Sequence, residues 1–187
     1  MKSKVFIFHG TGGHPKENWF PWIKEKLQAK GCQVIVLQFP TSTGQSVGDW
    51  FRVLDEQEVK IDENTILIGH SLGGIFLLRV LERLQKPVKA AFFVGTPVGV
   101  RPIKNWESDE RFSGFDFDWK KIRSNAKHFV VFHSDNDPYV SLENGEKLAK
   151  ELGTDLTFIP NAGHFNATAG YTKFNQLLEG IEKILVV

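Results

Sequence analysis

The serine of Gly69-His70-Ser71-Leu72-Gly73 stands alone between two apolar runs, with the G-x-S-x-G spacing of a turn that presents a nucleophile. A serine hydroxyl attacks a carbonyl poorly unless a base takes its proton, and that base works best when a carboxylate orients it. The chain supplies both later, in the order acid then histidine. FHSDNDPYV, Phe132 to Val140, carries Asp135 and Asp137; IPNAGHFNATAG, Ile159 to Gly170, carries His164. An imidazole changes protonation near neutral pH, so His164 is the expected base, taking the serine proton and returning it to a leaving group. Gly163 allows a sharp approach and Phe165 can anchor that loop in the core. Between the acids, Pro138 holds Asp137 extended and fixes its side-chain direction, whereas Asp135 reads as a turn former. The expected catalytic set is Ser71, Asp137 and His164. His70 points away from the apex of the turn and reads as structural support.

Attack on a carbonyl builds an oxyanion, and two segments offer N–H groups for it. A helix beginning after Ser71 aims its first amides and its positive dipole end at the serine, with the Leu72 N–H foremost. The glycine-rich HGTGGHP segment lets backbone approach the substrate; Thr11 N–H is the favoured second donor and Gly12 the reserve. His14, Trp106 and Phe115 are the expected substrate contacts.

Other chemistries fit less well. Gly10-Thr11-Gly12-Gly13 suggests a dinucleotide loop, but the third glycine of G-x-G-x-x-G falls at Pro15. The next strand, QVIVLQFP, lacks the acidic residue for a ribose, and no P-loop Lys-Ser/Thr pair occurs. His9, His14, His133 and His164 show no H-x-H or H-E-x-x-H spacing, so neither metal nor cofactor is expected. The chain has 23 basic and 22 acidic side chains, a net charge of +1, scattered rather than blocked. Nucleic acid and anionic membranes are therefore not expected partners; a small ester or acyl compound is. Cys32 is the only cysteine, which excludes an internal disulfide and fits a reducing compartment. MKSKVFIFHG is too short in apolar residues for a signal peptide, and no run of about 18 apolar residues occurs, so a cytoplasmic location is expected.

These loops need a scaffold. Six nearly continuous apolar runs read as strands covered on both faces: Val5 to Phe8, Gln33 to Phe39, Thr65 to Ile68, Val88 to Val94, Phe129 to Phe132 and Leu156 to Ile159. Helical spacing lies between them. Trp19, Trp22, Ile23 and Leu27 precede Lys30-Gly31; Ser46 to Asp49 matches a capping box; Leu142, Leu148 and Leu152 stop at Gly153; Leu177 to Ile184 close the chain. Alternating strands and helices predict one three-layer α/β domain over residues 1–187. The interval 95–119 has no clear period and is either a functional loop or a small cap with elements of its own.

The chain resembles the small serine hydrolase family of the α/β hydrolase superfamily, typified by the retinoblastoma-binding serine hydrolase of animals and bacterial proteins of the YdeN type. The resemblance rests on HGTGGH with NWFPWIKEKL behind it, TILIGHSLGG, DWKKIRSNAKHFVVFHSDNDPYV and NAGHFN, and extends over nearly the whole chain. It implies a minimal α/β hydrolase without a large lid, the triad on Ser71, Asp137 and His164, and hydrolysis of small esters or peptidase-like amide hydrolysis. The expected sheet is parallel and six-stranded, in the order 2-1-3-4-5-6. The expected reaction is cleavage of an ester, thioester or small amide through an acyl-serine. The competing class is a protein-binding module that keeps the fold but leaves its site unused; the intact Ser, His and Asp argue against it.

Overall fold

In the computed structural model, which describes residues 2–41 and 45–186, the strands are β1 (Lys4–Phe8), β2 (Gln33–Val36), β3 (Thr65–His70), β4 (Ala90–Val94), β5 (Phe129–His133) and β6 (Leu156–Phe158). The helices are α1 (Phe20–Ala29), α2 (Val47–Asp55), α3 (Leu72–Arg83), α4 (Trp106–Ser113), α5 (Trp119–Ser124), α6 (Leu142–Leu152) and α7 (Asn175–Leu185). The ends of the expected domain, residues 1 and 187, lie outside the described residues.

The strands are all parallel, in the order β2-β1-β3-β4-β5-β6 expected from the sequence. Strand alternation divides the core in two. Val5 and Ile7 pack with Phe20, Ile23 and Leu27 of α1 and Leu177 and Ile181 of α7. Phe6 and Phe8 face the other way, against Trp50 and Leu54 of α2, Phe76 of α3 and Leu148 of α6. Both sheet faces are thus covered, which is why the strands read as unbroken apolar runs. Phe76 meets Phe8, Phe39 and Trp50 edge-on with ring centroids 5.2–5.4 Å apart, and truncating such a ring costs about 3–5 kcal/mol.

Strand limits differ from the sequence reading where backbone partners run out. β2 ends at Val36; beyond it Leu37 N–H makes one long 3.4 Å bond to the Ile7 carbonyl, and Phe39 N–H goes to the His9 ring, 3.0 Å away, and not to a strand. β4 starts at Ala90, with Val88 left in a single bridge to Ala126. β3 instead runs two residues further, because Gly69 and His70 pair with Phe93 and Val94.

The interval 95–119 is no bare loop: it carries α4. Asn144 of α6 ties its start down, accepting from Val98 N–H (2.9 Å) and Val100 N–H (3.0 Å). Arg79 of α3 holds the end of α4 through the Ser113 hydroxyl and carbonyl, both at 2.7 Å.

Candidate active site

Ser71 sits where β3 turns into α3, with φ 54° and ψ −124°, a backbone region a non-glycine residue occupies at a cost of about 1–3 kcal/mol. Crowding enforces that conformation. A Cβ on Gly69 would lie 2.6 Å from the Gly73 carbonyl oxygen and the Gly74 Cα, and one on Gly73 would strike the Phe8 carbonyl. Ser71 N–H bonds the Val94 carbonyl at 2.9 Å, and its own carbonyl accepts from Gly74 N–H at 2.8 Å. The first loop also needs a glycine here, which the sequence reading missed: a Cβ on Gly10 would stand 2.9 Å from Ser71 Cβ.

The acid and the histidine meet between the loops after β5 and β6. His164 Nδ1 lies 2.7 Å from Asp137 Oδ2, and the Asp137 side chain is fully buried. Asp137 Oδ1 accepts from the Tyr139 and Val140 amides at 2.9 and 3.1 Å, so the extended pre-proline backbone folds its own amides onto the carboxylate. A carboxylate oxygen only accepts, which puts the ring proton on Nδ1 and leaves Nε2 free to act as a base. Gly95 backs the pair; a Cβ there would lie 3.1 Å from His164 Nδ1.

Three consecutive side chains clasp three consecutive amides to hold the His164 loop. Asp135 Oδ1 accepts from Asn161 N–H (2.8 Å), Ser134 Oγ from Ala162 N–H (2.9 Å) and Asn136 Oδ1 from Gly163 N–H (2.7 Å). Asp135 is therefore more than a local turn former. Beyond the histidine, Trp19 Nε1 donates to the Phe165 carbonyl at 3.0 Å, and Phe165 is buried and stacked on Phe174, as its anchoring role requires. His70 supports the same loop: its Nε2 donates to the His164 carbonyl at 2.8 Å, and burial pushes its pKa down to about 3, keeping the ring neutral.

Ser71 and His164 line one cavity of about 290 Å³, with Gly10, Thr11, His70 and Tyr139 among its other walls. Leu72 contributes the first N–H of α3, which no intrahelical partner takes. Thr11 is in the wall and Gly12 is not. The expected contacts His14, Trp106 and Phe115 also lie elsewhere. His14 is exposed, with its Nδ1 accepting from Lys16 N–H; Trp106 packs against Phe115 and under the Arg101 guanidinium. The helical turn of α4 brings Asp109 to the cavity in their place. The sequence reading passed over Asp109, as it did Glu17 and Asn18 from the first loop and Asn166 from the last.

The acidic side chains of this wall are Glu17 and Asp109. Burial holds the Glu17 carboxyl above its usual range and pushes Asp109 up to about 7, and among the described residues no Lys or Arg lines the wall. Of the other histidines near the sheet edge, His9 Nε2 accepts from Phe39 N–H and His133 Nδ1 accepts from Ser134 N–H, at 3.0 and 2.9 Å. Both are buried, and burial lowers their pKa.

A family model described as serine hydrolase matches residues 5–183. YdeN of Bacillus subtilis (strain 168) is 31% identical over 172 residues, covering 92% of this chain and 90% of its own. The crystal structure of the ydeN gene product superposes with a TM-score of 0.90 over the whole of both chains. Serine hydrolase RBBP9 of Rattus norvegicus is 29% identical over 98% of this chain and 96% of its own. MGS-MChE2, an α/β hydrolase from a lagoon-sediment metagenome, is 25% identical with a TM-score of 0.72, covering 100% of this chain and 93% of that one.

Proposed function

The chain belongs to the serine hydrolase family, and on that premise we propose that it cleaves a small carboxylic ester through an acyl-serine, with Ser71, His164 and Asp137 as its triad. The observation that carries this reading is a serine at φ 54° ahead of a helix, sharing a cavity with a histidine whose far nitrogen is held by a buried carboxylate. Ser71 Oγ attacks the carbonyl carbon as His164 Nε2 takes the hydroxyl proton. The Asp137 carboxylate keeps Nδ1 protonated and stabilises the imidazolium without taking the proton. The Leu72 and Thr11 amides donate to the oxyanion. Collapse of the tetrahedral adduct breaks the bond to the leaving alkoxide, which receives the proton from His164. Water, deprotonated by the same ring, then releases the acid and restores Ser71. The reaction draws on no cofactor, and thioesters and small amides undergo the same steps. A polar wall of modest volume suits a short or hydroxylated acyl group better than a long hydrocarbon chain.

A fluorophosphonate probe tests the assignment. Wild-type protein should gain the mass of one adduct and lose ester turnover together, and Ser71→Ala should take no label. A wild type that stays unlabelled and turns over no ester would favour the protein-binding module.

A further inference from the structure

Asp109 is the one nine-tenths-buried carboxyl in the cavity wall, and the reaction above does not use it. It is 4% exposed. Its Oδ1 takes a 3.3 Å hydrogen bond from the adjacent Ser108 hydroxyl, and its Oδ2 has no hydrogen-bond partner among the described residues. A carboxyl buried with so little compensation costs free energy, and proteins leave such groups where something else completes them. No cation in the wall does so: Asn105, Tyr139, Glu17 and His164 line the same cavity, and among the described residues no Lys or Arg does. Desolvation raises the Asp109 pKa to about 7, with the Ser108 hydrogen bond and His164 opposing, so the group needs only a donor to become a fully charged acceptor.

We propose that Asp109 is a specificity-determining residue, its carboxyl accepting a hydrogen bond from a donor group of the substrate, hydroxyl or ammonium, carried near the ester carbonyl. The assignment rests on the reading of Ser71 as the nucleophile. α4 thereby acts as a small cap that selects substrate. A site built to bond a substrate donor rejects the analogue without one, because binding that analogue leaves the buried acceptor unpaired.

The test compares kcat/KM for matched esters. Methyl 3-hydroxybutyrate and methyl 3-aminobutyrate are set against methyl butyrate, and 2-hydroxyethyl butyrate against ethyl butyrate. In the wild type at least one donor-bearing ester should exceed its apolar match by about tenfold to a hundredfold, the range of a hydrogen bond to a charged group. In Asp109→Leu that ratio should collapse to within about twofold of one. Asp109→Asn, which keeps the size and a neutral acceptor, should lose a preference for ammonium but keep part of a preference for hydroxyl, which separates the two sources. Fluorophosphonate labelling of each variant reports whether the site has folded. Should Asp109→Leu fail to label, the Asn variant decides, and its ratio must fall at least about threefold. Wild-type indifference to the donor, or a preference that survives substitution, would overturn the role of Asp109 while Ser71 still labels. A wild type that neither labels nor turns over any ester would overturn the reading of Ser71, and this assignment with it.

Discussion

Replacing Asp137 by asparagine preserves the shape of the side chain and changes one property: the atom facing His164 becomes a donor. In the protein Oδ1 holds the Tyr139 and Val140 amides at 2.9 and 3.1 Å, and the amide oxygen of Asp137→Asn should keep both. Its NH₂ group is then forced onto His164 Nδ1, which the native carboxylate oxygen meets at 2.7 Å. Nδ1 has to accept, the ring proton moves to Nε2, and the imidazole can no longer take the proton of Ser71. A wrong tautomer of this kind lowers kcat by about 10⁴-fold. At about 1.36 kcal/mol per decade, that is a barrier roughly 5 kcal/mol higher. Asp135→Asn provides the control, since its amide oxygen can still accept from Asn161 N–H, 2.8 Å away, and should cost less than about tenfold in kcat. Turnover of 4-nitrophenyl acetate by both variants, with the His164 tautomer read from imidazole ¹⁵N shifts, checks the chain of reasoning. An Asp137→Asn protein retaining a tenth of wild-type kcat, or an Asp135→Asn protein the more impaired of the two, would refute it.

Two further outcomes are expected. Asp109 has its folded pKa raised from 3.8 to about 7, so the folded state binds the extra proton and the associated stability is lost as pH rises from about 4 through 7. Asp109→Asn should therefore stabilise the protein more at pH 8 than at pH 5, by a difference of about 2–3 kcal/mol, read from urea midpoints of both proteins at each pH. His70 runs in the opposite direction, losing stability as pH falls from 6.5 toward about 3, so only the variant-minus-wild-type difference isolates Asp109. Gly10→Ala places a Cβ 2.9 Å from Ser71 Cβ and 3.4 Å from Oγ. It should cost about 1–3 kcal/mol in a thermal melt yet at least about 10²-fold in kcat, because the nucleophile must shift. Unchanged turnover would mean that the hydroxyl tolerates displacement.

The strands, their order and the Ser71 turn were legible because each has a local signature. Continuous Val, Ile and Phe runs mark strands buried on both faces, and Gly69, Gly73 and Gly74 mark a turn with no room for side chains. That Asp137 and not Asp135 meets His164 was legible through Pro138, a backbone constraint visible in two letters. The cavity wall was not. In α4 the buried positions are Asp109 and Phe112, so in WESDERFS a carboxyl interrupts the apolar stripe, and the aromatic Trp106 and Phe115 draw the eye although they pack on each other. Ser134, Asp135 and Asn136 look like ordinary turn residues, because a side chain that caps a distant amide has the same composition as one that caps its own. Long-range pairing alone, across 26 to 28 positions, gives them their role.

That clasp also decides which parts of the chain are free to drift. The amides of residues 161–163 are gripped from the end of β5, so the position of the imidazole is surveyed from a strand paired on both sides and not from β6, a three-residue strand on the open edge. Between grip and gripped lie α6 and β6, joined through a left-handed Gly153. A residue gained or lost at that joint changes the length of a tether whose far end is fastened separately, and the spacing of acid and base is insulated from it.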